Sequence, residues 1–194
     1  MSPLENLDRD WTLAINSLHC PFTDSVWLVF SDTRIWFVLY LAVAVLMFWR
    51  LGWKKALTMV VATALCIVCI DQGCNIVKDA VARLRPCNDP GMTEAGLWML
   101  APASVRHPYG FFSAHAANAF GFATCTTVAL RQDKRRKWRG YAAAVFVWAL
   151  LVSASRIFVG RHFLGDVLVG IAAGCLLGQG FTALARLFIR KVLS

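Results

Sequence analysis

Five apolar runs, at about 27–49, 55–77, 112–130, 139–155 and 163–189, constrain this chain more than any other feature. Each approaches the roughly 20 residues that an α-helix needs to cross the hydrocarbon core of a bilayer. Composition points the same way. Of the 194 residues 58% are hydrophobic and 16% charged, and the mean hydropathy is +0.57, against about 45–50% apolar residues in soluble domains. The expected architecture is therefore all-α: a polytopic transmembrane bundle of about five to six spans, forming a single domain over 1–194. The first run is broken by Ser31, Asp32, Thr33 and Arg34, which places its crossing at 34–49. Residues 4–19 carry apolar positions at helical spacing with charges between them, and read as an N-terminal helix lying at the membrane interface. A sixth crossing over 11–30 is a weaker alternative. The opening MSPLENLDRD lacks a basic leader region, so no cleavable signal peptide is expected.

The formal charge of +9 is distributed as a membrane protein would distribute it. The basic residues cluster at the ends of apolar runs instead of interleaving with aromatics, which argues against a nucleic-acid partner. With five spans, Arg50, Lys54, Lys55, Arg131, Lys134, Arg135, Arg136, Lys137, Arg139, Arg186, Arg190 and Lys191 all fall on one side. The positive-inside rule makes that side cytoplasmic. Lys78, Arg83, Arg85, Arg106, Arg156 and Arg161 fall on the other face, where topology does not require them.

Three segments of that outer face carry chemistry. In KDAVARLRP (78–86), a helix ended by Pro86 would set Lys78 and Arg85 two turns apart on one side, a plausible anion site. In YGFFSAHAANAF (109–120), Ser113 reads as an N-cap, and the N–H groups after it form an oxyanion cradle with His115 in the first turn. In SRIFVGRHFLGD (155–166), His162 and Asp166 are four apart. The carboxylate can hold one ring nitrogen and leave the other free to attack, with Arg156 in reach of the same anion. Charges at membrane depth are functional candidates by default.

These segments in this order (Lys, six residues, Arg-Pro; Ser-x-His; Ser-Arg-x3-Gly-x-His-x3-Asp) resemble the type 2 phosphatidic acid phosphatase family, which shares its core with vanadium-dependent haloperoxidases. The resemblance covers a catalytic core of about 50–185. One departure is visible: the usual Pro-Ser-Gly-His of the second motif stands here as Phe112-Ser113-Ala114-His115. The resemblance implies a phosphate clamp of Lys78, Arg85 and Arg156, completed by Ser113 and the Ala114 N–H. It implies His162 as a nucleophile forming a phosphohistidine, Asp166 as its orienting partner, and His115 as general acid and then base. Phosphoryl transfer asks chiefly for positioning and charge neutralisation. Three cations supply that, so no metal or other cofactor is expected.

The function so implied is an integral membrane lipid phosphatase, multi-pass in the inner (plasma) membrane with its site facing the periplasm or outside. Its partners would be membrane lipids and a lipid phosphate substrate: undecaprenyl pyrophosphate, phosphatidylglycerophosphate, phosphatidic acid or a lipid A phosphate. Alternatives are a lipid phosphotransferase using the same site, a vanadate-holding haloperoxidase, which the apolar spans disfavour, and a non-enzymatic lipid-anion binding or transport protein. The loop 87–110 is placed to cover the pocket, with Arg106 and His107 as headgroup contacts. Asp71 is read as a salt-bridge partner near the site or a crevice residue, and Asn118 as support for His115 or a neighbouring helix. Gly170, Gly174 and Gly178 read as close helix packing, and Trp27, Trp36, Trp49, Trp53, Trp138 and Trp148 mostly as lipid-facing or belt aromatics. Cys66 and Cys69 read as small buried residues, and Cys20 and Cys87 as a possible disulfide.

Overall fold

A computed structural model describes residues 2–100 and 107–192. Eight α-helices follow one another: α1 (Pro3–Asn16), α2 (Pro21–Ser31), α3 (Phe37–Leu51), α4 (Trp53–Val81), α5 (Pro90–Glu94), α6 (Ala114–Leu130), α7 (Arg139–Phe158) and α8 (Leu164–Val192). Three of them, α4, α7 and α8, are long and apolar enough to cross a membrane. The apolar α3 and α6 are shorter, at 15 and 17 residues. Leu41, Val45, Leu65, Val68, Leu176 and Leu184 lie exposed along the helix sides, as lipid-facing residues do.

Helix α6 is the axis of the bundle. Its small residues Ala116, Ala117, Ala119, Gly121 and Ala123 are buried on almost every side, and a helix apolar all round belongs in a core. The expected glycine stripe of α8 lies against it. A side chain at Gly170 would meet the carbonyl oxygen of Ser113 at 2.6 Å, and one at Gly178 would meet Thr124 Cβ at 2.9 Å. Small residues at a helix crossing let the two backbones approach this closely. Around α6, an aromatic cluster joins Trp36, Tyr40, Phe122 and Trp148 at centroid distances of 4.8–6.1 Å.

Several expectations need correction. Trp148 is a core residue, 8% exposed, and Trp27 stacks on Phe158 at 4.2 Å; Trp49 and Trp53 do face outward. Cys66 is buried but Cys69 is exposed, because a three-residue step on α4 turns it off the packed face. Cys20 and Cys87 are both free thiols: Cys20 opens α2, while Cys87 is buried with its Sγ against Asn88. No continuous helix spans 11–30, since the chain breaks at 17–20 between α1 and α2. A helix, α1, forms where the interfacial one was expected, with its apolar residues outward and polar ones toward the protein. Leu4, Leu7 and Trp11 are 77%, 53% and 54% exposed, whereas Thr12 and Asn16 are buried against the protein.

The two ends of the bundle differ. At one end Arg50, in the last turn of α3, pairs with Asp133 of the α6–α7 loop at 2.8 Å, among the basic residues of that loop. At the other end lie the last turns of α4 and α7 and the first turns of α6 and α8, and the candidate site residues among those described sit there.

Candidate active site

Residues 159–163 form a tight turn between α7 and α8 that presents His162. Gly160 adopts φ +74°, a left-handed conformation that glycine accepts without strain. A Cβ there would also press on the Trp98 carbonyl at 3.2 Å. The N–H groups of both Arg161 and His162 donate to the Arg156 carbonyl, at 3.0 and 3.1 Å, which ties the turn to the end of α7. His162 is 2% exposed.

The ring's tautomer follows from its neighbours. Arg85 Nη1 lies 3.3 Å from His162 Nε2. A guanidinium can only donate, so Nε2 accepts and the ring proton belongs on Nδ1. Nδ1 stands 3.4 Å from Asp166 Oδ2, near enough to feel the carboxylate charge, though not aligned as a hydrogen bond. Burial first, then the charges of Arg156 and Arg85, push the imidazole well below its usual 6.5. A neutral ring with an Nε2 lone pair is the nucleophilic form.

Arg85 reaches this point from an extended segment, where α4 was expected to continue. The helix stops at Val81, and Ala82 takes a left-handed φ of 52°. Leu84 then bridges Tyr109 in antiparallel fashion, and the Arg85 N–H donates to the Pro108 carbonyl at 2.9 Å. Arg85 Nε donates to the His107 carbonyl at 2.9 Å, so His107 supports an arginine through its backbone. Lys78 remains on the last turn of α4, within electrostatic reach of His115 and His162. Arg156, 7% exposed, donates through Nη1 to Ser31 Oγ of α2 and keeps a buried Nε with no partner among the described residues.

The helix α6 supplies the rest. Ser113 is its N-cap, fully buried, with Oγ accepting from the Ala116 N–H at 3.4 Å. The Ser113 N–H donates to the Asp166 carbonyl at 3.0 Å, locking the starts of α6 and α8 together. The Ala114 N–H begins the helix, where the first N–H groups have no intrahelical acceptor. His115 follows, within reach of the charges of Arg156, Lys78 and Arg85. Asn118, one turn on, donates to Asp71 Oδ1 of α4 at 2.7 Å, so both residues serve helix packing beside the site. Arg106 lies outside the described residues.

The sequence segments that resembled one family have thus come to one end of one bundle. Residues 53–190 match the family model of the PAP2 superfamily. The chain belongs to that superfamily. A lipid A 4′-phosphatase of Bacteroides thetaiotaomicron is 33% identical over 172 residues, covering 88% of this chain and 73% of that protein. One of Porphyromonas gingivalis is 28% identical over 182 residues, covering 92% and 73%. Among solved structures, a transmembrane PAP2-type phosphatidylglycerolphosphate phosphatase from Bacillus subtilis superposes with a TM-score of 0.72 at 21% identity, covering 99% of this chain and 89% of that one. Aquifex aeolicus LpxE superposes at 0.63 and 22% identity, covering 90% and 93%. At these identities the structural likeness is one of fold.

Sequence reasoning missed the residues of α1 that join the candidate site of this PAP2 protein. Asp8 accepts from the Gly165 N–H at 2.7 Å, and Thr12 Oγ accepts from the Leu164 N–H at 2.9 Å. Asn16 donates to the carbonyls of Ile157, Phe158 and Trp98 and accepts from the Trp98 N–H. Arg9 binds Asp89, the N-cap of α5, through both guanidinium nitrogens, which holds that carboxyl below the usual range. The signal was available: Asp8, Thr12 and Asn16 recur every four residues, a polar stripe at helical spacing on a helix whose apolar residues face outward.

Proposed function

We propose that this PAP2 protein is an integral membrane lipid phosphatase that works through a phosphohistidine on His162, with a phosphorylated glycolipid of the lipid A 4′-phosphate kind as its favoured substrate class. The observation that carries the reading is the buried, neutral His162, its Nε2 lone pair directed at Arg85 and its Nδ1 beside Asp166. The names of the two curated relatives favour a lipid A phosphate over the other lipid phosphates.

In this reaction the phosphate group enters between Lys78, Arg85 and Arg156. Arg85 turns its guanidinium from Nε2 to a phosphate oxygen, and the Arg156 Nε, without a partner among the described residues, supplies a further donor. Ser113 and the Ala114 N–H complete the cradle at the positive end of α6. Nε2 attacks phosphorus in line, and the P–O bond to the lipid breaks. His115 gives a proton to the departing oxygen. Water, deprotonated by the same His115, then displaces the phosphoryl group from His162, releasing inorganic phosphate and restoring the ring. The basic loops at the opposite end of the bundle mark the cytoplasmic side by the positive-inside rule, so the site opens at the outer face of the membrane in which the lipid's chains stay embedded.

The test is release of inorganic phosphate from a panel of lipid A 4′-phosphate, phosphatidic acid, phosphatidylglycerophosphate and undecaprenyl pyrophosphate, in detergent with EDTA. Release from the lipid A species, lost in His162→Ala and His115→Ala, supports the reading. Binding without turnover, or turnover that survives His162→Ala, overturns it.

A further inference from the structure

Asp166 is completely buried, yet the imidazole beside it is neutral. A buried carboxylate needs a fixed positive partner or a set of donors. Its Oδ2 accepts the Phe163 N–H at 3.1 Å, and its Oδ1 accepts from Arg83 Nη1 at 2.9 Å. Arg83 is not part of the Lys–x6–Arg–Pro pattern. Its second nitrogen, Nη2, donates to Asp8 Oδ2 at 2.7 Å, and its guanidinium carbon lies 4.0 Å from the ring centre of Phe163, the residue after His162. Asp8 in turn caps Gly165. Four groups therefore stand in a row: Asp8, Arg83, Asp166, His162. The first belongs to α1, outside the 53–190 stretch that matches the family model.

We infer that Asp8 and Arg83 are positioning residues for His162, and that α1 completes the catalytic site by supplying Asp8. The inference rests on the reading of His162 as the nucleophile. Charge explains why two acids are needed. Arg83 neutralises one carboxylate, so the row carries one net negative charge while the imidazole is neutral. When Nε2 bonds to phosphorus the ring acquires positive character, on the side of the molecule where Lys78, Arg85 and Arg156 already gather. The row then sums to zero. Without Asp8, Arg83 would cancel Asp166 and leave that developing charge unbalanced. Geometry adds to this. Asp8 and Asp166 grip the two ends of one planar guanidinium, which fixes its plane over Phe163 and with it the backbone that carries His162.

The arrangement also links the nucleophile to the lipid. Leu4, Leu7 and Trp11 of α1, with Leu164, Leu168 and Val81, line an apolar groove of about 750 Å³ whose floor includes Asp8 and Arg83. The outward face of α1 seats in the membrane and its inward face sets the charge row.

The full chain in detergent is the material for the test, with variants Asp8→Asn, Asp8→Ala and Arg83→Gln, and Asp10→Asn, exposed on the same helix, as control. Asp8→Asn keeps the side chain's size and one acceptor oxygen while removing the charge, so the test stands on it even if Arg83→Gln does not fold. The expected result for Asp8→Asn is a kcat about tenfold lower with KM within about twofold, and for Arg83→Gln a loss near a hundredfold. Asp10→Asn behaves as the parent protein. The ring nitrogens of His162, one of only four histidines, are followed by 15N NMR: the Nδ1–H signal of the parent protein shifts in Asp8→Asn and not in Asp10→Asn. Unchanged kcat and unchanged Nδ1 signal in folded Asp8→Asn and Asp8→Ala overturn the inference, as does a change confined to KM. If the parent protein releases phosphate from no lipid, the phosphatase reading fails, and the Nδ1 signal still decides the link from Asp8 to His162.

Discussion

Gly174 offers the sharpest test of how the fold holds the site. A Cβ built there points at the Ala117 carbonyl oxygen, with the Gly121 nitrogen at 2.9 Å and the Ala117 carbonyl carbon at 3.0 Å. All three are backbone atoms of α6, so no rotamer change relieves the contact. Restoring ordinary separations of about 3.5 Å requires the two helices to part by something on the order of 1 Å. Overpacking of that kind costs up to about 3 kcal/mol, offset by about 1 kcal/mol of helix propensity gained on replacing glycine by alanine. The net loss for Gly174→Ala is about 2 kcal/mol, or a melting temperature lower by roughly 4–8 °C for a chain of this size. Gly180, on the same helix, has nothing within 4 Å of its would-be Cβ. Gly180→Ala should therefore gain about 0.5–1 kcal/mol from propensity alone. A thiol-reactive dye provides the assay, because the buried Cys66, Cys74, Cys87 and Cys125 become accessible on unfolding. The gap matters for activity too: α6 carries Ser113 and His115 while α8 carries Asp166, and a misplacement of about 1 Å can cost a hundredfold in rate. Equal melting temperatures for the two variants, or a Gly174→Ala protein as stable and active as its parent, would refute this packing argument.

Other outcomes follow from the same geometry. Asn16→Ala leaves the Ile157 and Phe158 carbonyls without their side-chain donor, so melting should show a loss of about 1–3 kcal/mol. Burial holds His162 neutral below its ordinary 6.5, so the rate should hold as pH falls past 6.5 and decline only through the lower value, where protonation blocks Nε2; a pH–rate profile with an acid limb at or above 6.5 would contradict this. Asp89, held low by Arg9, stabilises the folded state above the ordinary carboxylate value of 3.8, and that contribution is lost as pH falls through the depressed one. Asp89→Asn should therefore flatten the acid side of a stability-against-pH curve. Chelation by EDTA should leave phosphate release unchanged.

The apolar helices and the three motif segments were legible because their signals are local, although only α4, α7 and α8 are long and apolar enough to cross a membrane. Apolar runs and charged ends mark helices whatever they pack against, and the four-residue step from His162 to Asp166 needs only a helix start to become a contact. Arg85 does come within 3.3 Å of His162, but not by the route its spacing implied. The expected helix ended by Pro86 would have kept it on the face of Lys78, whereas the break at Ala82 and the bridge to Tyr109 bring it onto Nε2. Tertiary partners 22 and 77 residues away fix that conformation, and no local pattern encodes them. The α1 contacts failed to emerge for a related reason. An outward apolar face implies an interface helix equally well whether the polar face meets water or protein. Only the periodic Asp8–Thr12–Asn16 stripe hinted that the polar side was the packed one. Trp148 was misread because aromatic residues serve membrane belts and cores alike.

The most direct test of the whole account is to look for the covalent intermediate. Mixing the protein with lipid A labelled in its 4′-phosphate and quenching within milliseconds should trap radioactivity on the chain, stable to base, labile to acid, and mapped by digestion to the peptide containing His162. Label recovered on another residue, or rapid phosphate release with no labelled protein at any quench time and undiminished turnover in His162→Ala, would contradict it.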